Sequence, residues 1–233
     1  MADDIFLTPE EQDERARQWL KDNGMALGLG IALGLGAVFG YQQWQEKLVR
    51  DAEAASALYN TALSTFRTTE LADISAQVDE LKADYTGSPY AVKASLLRAR
   101  QLSASDLDAA VAELQWAAAN ADEPGLLHAA QIRLAKILIE QEKLDQAAAL
   151  ANANSDSDYA SHYAEVLGDV ARLSGEYTEA AAQYQKALDG LAQQDIGYSA
   201  ILNLKLNRLP VSAPEESTDS ESVEDAASET VSE

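Results

Sequence analysis

Two histidines, His128 and His162, and no cysteine make up the whole supply of imidazole and thiol in these 233 residues. Nucleophilic thiol chemistry is therefore excluded, and neither histidine has a neighbour at metal-ligand spacing. No glycine-rich loop of the phosphate-cradling type is present. Carboxylates are plentiful, 39 Asp and Glu against 17 Lys and Arg. No sequence feature forces one into an apolar pocket, where its pKa would shift into the range of a general acid or base. His162, in Asp158-Tyr159-Ala160-Ser161-His162, reads as a helix-surface histidine beside a loop. The expectation is no enzyme, no cofactor and no metal. A net charge of −22 also argues against nucleic acid as a partner.

Binding is what remains, and the elements that would present it fall into distinct parts. From Asn23 to Gln45 the chain carries no charge, and Met25 to Tyr41 is unbroken Gly, Ala, Leu, Ile, Val, Met and aromatic. Seventeen helical residues span roughly 25 Å, and the neutral flanks complete a ~30 Å hydrocarbon core. Trp19 on one side, and Tyr41 with Trp44 on the other, stand where interfacial aromatics belong. One transmembrane helix is predicted. A cleaved signal peptide fits less well. The first 22 residues hold seven acidic and three basic side chains, and the run exits through bulky Val38-Phe39-Gly40-Tyr41. A buried helix of a soluble core is the other alternative. Arg15, Arg17 and Lys21 before the span outnumber Lys47 and Arg50 after it, which favours a cytoplasmic N-terminus.

Within the span, Gly24, Gly28, Ala32, Gly36 and Gly40 recur every four residues, with Gly30 and Gly34 offset. The reading is a small-residue stripe along one side of the helix. In lipid, such a stripe permits the close backbone approach that drives helix association. Ahead of it, Thr8-Pro9-Glu10-Glu11 offers an N-cap, a first-turn proline and a carboxylate. A helix from about Pro9 to Lys21 should follow, ending at Asn23-Gly24 or running straight into the membrane. At the far end, residues 210–233 hold eight Asp or Glu, six Ser, no Lys or Arg and no aromatic. Such a segment cannot bury enough apolar surface to offset its ordering entropy, so a disordered acidic tail is expected.

Between them, roughly Arg50 to Leu209, the chain is alanine-rich with helical periodicity and almost no strand signal. Breaks fall at Thr86 to Pro89, Ser103 to Asp106, Asp122 to Gly125, Asn152 to Asp158, Ser174-Gly175 and Gln193 to Gly197. Leu167-Gly168, Gly175, Tyr177, Ala180, Tyr184 and Ala187 resemble a tetratricopeptide repeat, with Gly168 and Ala180 letting two helices approach and Tyr177 and Tyr184 filling the gap between hairpins. Thirty-three residues earlier stand Leu134-Ala135, Leu144 and Ala147. A looser copy around Ala99, Leu102, Leu107, Ala110, Leu114 and Ala117 is one residue short in its loop. Residues 51–85, with Leu58, Tyr59, Ala62, Leu63 and Phe66, read as a divergent fourth hairpin, and Ile196 to Leu209 as a closing helix. The fold class is all-α: an N-terminal transmembrane helix, a repeat-built α-solenoid and a tail. The boundaries are a cytoplasmic segment 1–22, a span 23–45, a periplasmic repeat domain 46–209 and a tail 210–233.

The resemblance to tetratricopeptide repeats implies that four positions of each first helix face a groove. With Ala99, Ala135 and Gly168 in equivalent places, these include Lys93, Leu96 and Arg100, then Ala129, Ile132, Lys136 and Ile139, then His162, Glu165, Asp169 and Arg172. Lys93, Arg100, Lys136 and Arg172 would then form a basic line in an acidic protein, with Ile132 and Ile139 as exposed apolar surface, suited to an acidic or peptide-like partner.

The layout as a whole resembles the bacterial family of ancillary SecYEG translocon subunits, the YfgM family. Carrying that likeness are Lys21-Asp22-Asn23-Gly24, Gly34-Leu35-Gly36-Ala37 and Tyr41-Gln42-Gln43-Trp44, followed by the hairpins; the acidic tail departs from the pattern. The resemblance implies an inner-membrane protein with a periplasmic repeat domain. It also implies the SecYEG translocon and a membrane-anchored periplasmic chaperone of the prolyl-isomerase type as partners, contact with translocating polypeptides, and an influence on envelope stress signalling. The alternatives are a scaffold for another envelope complex, or a holdase chaperone.

Overall fold

A computed structural model describes residues 9–68, 72–191 and 196–210. The Thr8 cap, part of the 193–197 break and all of the acidic tail beyond Pro210 lie outside the described residues. Among the described residues every regular element is an α-helix.

The first, α1 (Pro9–Thr68), is 60 residues long. Of the two alternatives foreseen at Asn23-Gly24, an end or a run straight on into the apolar span, the helix takes the second. Asn23 donates its side-chain amide to the Trp19 carbonyl one turn back (3.0 Å) instead of capping an end. A backbone in lipid must satisfy its own amides, so the glycines cannot loosen the helix there as they would in water. Among the described residues α1 is the one helix long and apolar enough to cross a membrane, and none of its apolar window is buried. That removes the buried-core alternative: Met25 is 91 % exposed and Leu33 67 %. The helix also passes without a break through 45–46, the boundary predicted between span and domain.

The chain divides into two compact units, residues 1–101 with 120–122, and residues 102–119 with 123–233. In the first, the far half of α1 is joined by α2 (Ser75–Asp84) and α3 (Pro89–Leu102). Ala55, Ala62 and Phe66 of α1 are buried, as are Val78 and Leu81 of α2 and Ala91, Val92 and Ala94 of α3. Of the predicted hairpin positions, Ala62 and Phe66 are core, while Leu58, Tyr59 and Leu63 are half-buried. Side-chain contacts give the directions. Tyr90 meets Tyr59 (ring centroids 5.7 Å) and the Arg100 guanidinium lies 5.3 Å from the Phe66 ring, so α3 runs parallel to α1. Arg98 pairs with Asp79 (2.8 Å) and Gln101 donates to the Ala72 carbonyl (2.7 Å), so α2 runs the opposite way.

The second unit holds α4 (Leu107–Asn120), α5 (Pro124–Glu140), α6 (Leu144–Asn152), α7 (Ala160–Leu173), α8 (Tyr177–Asp189) and α9 (Ile196–Asn207). Its repeat is visible in the backbone. The amide of Glu176 donates to the Ala171 carbonyl (2.9 Å), and 33 residues earlier Lys143 donates to Leu138 (2.8 Å). Both are the six-to-one bond of a left-handed helix end, with Gly175 at φ +81° and Glu142 at φ 60°. The α3–α4 connection is one residue tighter: Asp106 donates to Leu102 (2.7 Å) and its carboxylate accepts the Ala109 amide (2.9 Å). Close packing of α7 on α8 rests on Gly168, where an added Cβ would stand 2.5 Å from the Tyr184 ring. Tyr184 is wholly buried with Ala164, Ala171, Ala180, Ala187 and Leu202. Tyr177 does not fill a gap as predicted; it opens α8 facing solvent, 37 % exposed.

Two substitutions test this turn-and-contact logic by chemical denaturation. Glu142→Gly relieves a left-handed conformation at a non-glycine residue and should stabilise the second unit by about 0.5–1 kcal/mol. Gly168→Ala has no room against a buried ring and should destabilise it by about 1–3 kcal/mol.

Candidate partner-binding site

On α5, residues 125, 129, 132, 133 and 136 follow helical spacing and share a face. They meet Tyr159 and His162 at the start of α7 around a cavity of about 330 Å³, lined by Gly125, Ala129, Ile132, Arg133, Lys136, Tyr159 and His162. The predicted register positions Ala129, Ile132, Lys136 and His162 are thus brought together. Ile132 and Ile139 are not the free apolar surface expected. Both are half-buried against a core of Ala135, Ala151, Tyr163 and Val166.

Aromatic rings support this cavity. His128 stacks on Tyr159 (4.5 Å between centroids) and its Nδ1 lies 2.8 Å from the Tyr163 hydroxyl. That hydroxyl donates to Gln131 Oε1 (3.0 Å). Burial pushes the Tyr163 phenol up to about 12, which keeps it a neutral donor. His162 is not a plain surface histidine: it is half-buried and stacks on Tyr198 of α9 (4.8 Å).

Behind the cavity lies the feature that sequence reasoning missed. Glu165, foreseen as groove-facing, is only 2 % exposed. It accepts from Lys136 of α5 (2.7 Å), Lys205 of α9 (2.7 Å) and the Tyr198 hydroxyl (2.5 Å). Lys205 also binds both oxygens of Asp169 (2.7 and 2.6 Å), which in turn accepts from the Tyr184 hydroxyl (2.7 Å). Burial would raise the Glu165 pKa, but Lys136, Lys205 and Tyr198 outweigh it and hold the carboxyl down to about 2. Burial and the adjoining carboxylates push the Tyr184 and Tyr198 phenols upward. A carboxylate this far depressed serves as a fixed anion, not as a proton carrier. The only sequence signal was that residues 196–210 carry Lys205 and Arg208 and no acid, in a chain dominated by acids.

The basic line therefore changes character. Lys136 is committed to Glu165, and Arg172 stands exposed beside the Tyr184 hydroxyl. In the first unit, the Lys93 ammonium lies 5.2 Å from the Tyr90 ring centroid, Leu96 is half-buried, and Arg100 covers Phe66. Along the membrane helix, an added Cβ at Gly24, Gly28, Gly36 or Gly40 would meet nothing within 4 Å. Their row, with Ala32, is not confined to one side. Each four-residue step turns about 40°, so the row winds by about 160° as an inclined ridge. Among the described residues no group of three or more His, Cys, Asp or Glu is placed to hold a metal ion.

A tetratricopeptide repeat-like domain model matches residues 17–211, which takes in the apolar helix as well as the hairpins. The chain belongs to the tetratricopeptide repeat-like family. Three relatives similar to it all bear the name ancillary SecYEG translocon subunit. That of Escherichia coli is 25 % identical over 211 residues, 89 % of this chain and all of the relative. The Haemophilus influenzae relative is 25 % identical over 86 % of this chain and 97 % of its own, and the Neisseria gonorrhoeae relative 28 % over the same shares. No solved structure matches the chain.

The depressed Glu165 pKa fixes a sign for pH dependence. Unfolded, the carboxyl titrates near its ordinary value of 4.5; folded, it titrates at about 2. Its stabilisation is complete above the unfolded value and is lost as pH falls from about 5 toward 2, on the order of 3 kcal/mol. Replacing Glu165 with Gln should remove about that much at neutral pH and flatten the acid limb of the stability curve, measured by urea unfolding at a series of pH values.

Proposed function

We propose that this chain is a non-enzymatic ancillary subunit of the Sec protein translocon, anchored in the bacterial inner membrane by α1. The observation that carries the reading is alignment across both parts of the architecture. Relatives bearing the translocon name match 86–89 % of the chain, and the family model covers residues 17–211, so helix and repeats correspond together. The partition 1–22 cytoplasmic, 23–45 membrane, 46–209 periplasmic and 210–233 tail fits this role. So does the excess of Arg15, Arg17 and Lys21 over Lys47 and Arg50.

In this reading the chain works as an adaptor. The glycine ridge Gly24, Gly28, Ala32, Gly36 and Gly40 receives a helix of the channel, crossing at an inclined angle because the ridge itself winds. The α5–α7 cavity, with an apolar and aromatic wall and a rim of Arg133 and Lys136, receives an extended acidic segment. Ile139 and Arg172 extend this face along α5 and α7, while Lys93, Leu96 and Arg100 are offered on α3 of the first unit. A membrane-anchored prolyl-isomerase chaperone is the partner assigned to that face, and translocating chains pass between the two. Modulation of envelope stress signalling would follow from how much of the chaperone is held. A broad holdase surface is disfavoured, since Ile132 and Ile139 are each half-buried against the core.

Site-specific photo-crosslinking of the full-length protein in membranes tests both surfaces. The probes belong at Gly36 and at Arg133, because replacing Lys136 would disturb Glu165. Channel adducts at Gly36 and chaperone adducts at Arg133 are expected. Adducts with unrelated envelope proteins at both positions would move the function to a scaffold elsewhere.

A further inference from the structure

The turn between α2 and α3, Tyr85-Thr86-Gly87-Ser88-Pro89, comes back to α1 low on the helix. Together with Asp84 it lines a cavity of about 380 Å³ whose other wall is Leu48, Asp51 and Ala52. The helix directions explain why. α1 leaves the apolar window at Gln45, α2 runs back along it toward that end, and α3 leaves again parallel to α1. The turn is therefore the point of this unit that reaches back toward the membrane. Leu48 and Ala52 lie three and seven residues past Gln45, about 5 and 10 Å along the axis. The polar layer outside the hydrocarbon is about 5–7 Å deep on each side, so the turn stands at its outer edge.

We infer that the 85–89 turn rests on the lipid headgroups beside the point where α1 emerges, and braces the anchor against tilting. The inference rests on α1 spanning the membrane. The chemistry of the turn fits a zwitterionic headgroup surface. Its five residues carry no charge, in a chain 24 % charged, and offer a tyrosine, two hydroxyls and exposed backbone at Gly87. The charges at this level offset one another, Glu46, Asp51 and Asp84 against Lys47, Arg50 and Lys82, so no net charge draws the turn to anionic headgroups. Leu48 and Val49, 47 % and 54 % exposed, put apolar side chains on α1 at the same level. No linker separates this foot from the span, so contact at the turn fixes both the tilt of α1 and the facing of the unit attached to it.

Because the chain has no cysteine, single cysteines report individual positions in the otherwise natural full-length protein. Gly87 and Gly34 accept one readily, with nothing within 4 Å of an added Cβ, and Thr68 is exposed at the far end of α1. Each variant carries an environment-sensitive fluorophore in phosphatidylcholine vesicles containing lipid with a nitroxide on the headgroup or deep on the acyl chain. Headgroup nitroxide should quench Gly87→Cys several-fold more than Thr68→Cys, while acyl-chain nitroxide quenches Gly34→Cys most. Replacing phosphatidylcholine with phosphatidylglycerol should leave the Gly87 signal unchanged; several-fold strengthening would overturn the zwitterionic assignment. Equal quenching at Gly87 and Thr68, with Gly34 still deep, overturns the headgroup contact and leaves the anchor standing. Loss of quenching at Gly34 as well overturns the anchor and the foot together.

Discussion

A polypeptide in lipid must satisfy its own amides, and a helix does so only by remaining a helix. In this chain the helix outlasts that obligation, beginning at Pro9 and ending only at Thr68. The same element is therefore anchor, stalk and first wall of the following hairpin. Ala55, Ala62 and Phe66, buried under α2 and α3, lie on the same rigid rod as the exposed glycines of the span. Movement of one end is transmitted to the other without a hinge. A partner helix that turned the ridge would turn the first hairpin with it.

The second unit relies on a different kind of constraint. Alanine and glycine bring its helices close, and the space is filled by a few large rings, Tyr163 and Tyr184 above all. Such thin contacts bury little area per residue, and the closing helix is short. The Glu165 cluster supplies a second hold, since one carboxylate joins α5, α7 and α9 through two ammonium groups and a phenol. A buried ion is costly unless every lone pair is matched, and Glu165 is matched on both oxygens. The arrangement reinforces the inward face of α9 that Tyr198, Leu202 and Leu206 already mark at four-residue spacing, leaving Ile201 and Leu204 half exposed.

Electrostatics shape the binding surface by subtraction. Much of the positive charge on the repeat faces is already spent on carboxylates or rings, Lys136 on Glu165, Lys93 on Tyr90 and Arg100 on Phe66. What the cavity offers a partner is shape and aromatic surface with a modest basic rim. In a protein of net charge −22, that rim is a local contrast that orients a partner more than it holds one.

Much of the architecture was legible from the residues alone. Seventeen uncharged apolar residues require a span-length helix, a 33-residue recurrence of small and aromatic positions requires stacked hairpins, and Gly-x-Tyr marks the turn. These are local signals, written in neighbours along the chain. The Glu165 partners lie 29 and 40 residues away, and the stacking of His162 on Tyr198 joins different helices. No spacing rule announces such pairs, because they depend on which helix faces meet. Burial was equally hidden: Ile132 lines the cavity and Ile139 shares its register, yet both are half-buried against the core, and Tyr177 matched the motif yet faces water. Composition and periodicity, which act over a turn or two of helix, were enough to dictate an anchor, hairpins and an acidic excess. Which charges are spent, which rings form the cavity and where the chain returns to the membrane were decided by tertiary packing, which alone brings distant side chains within reach.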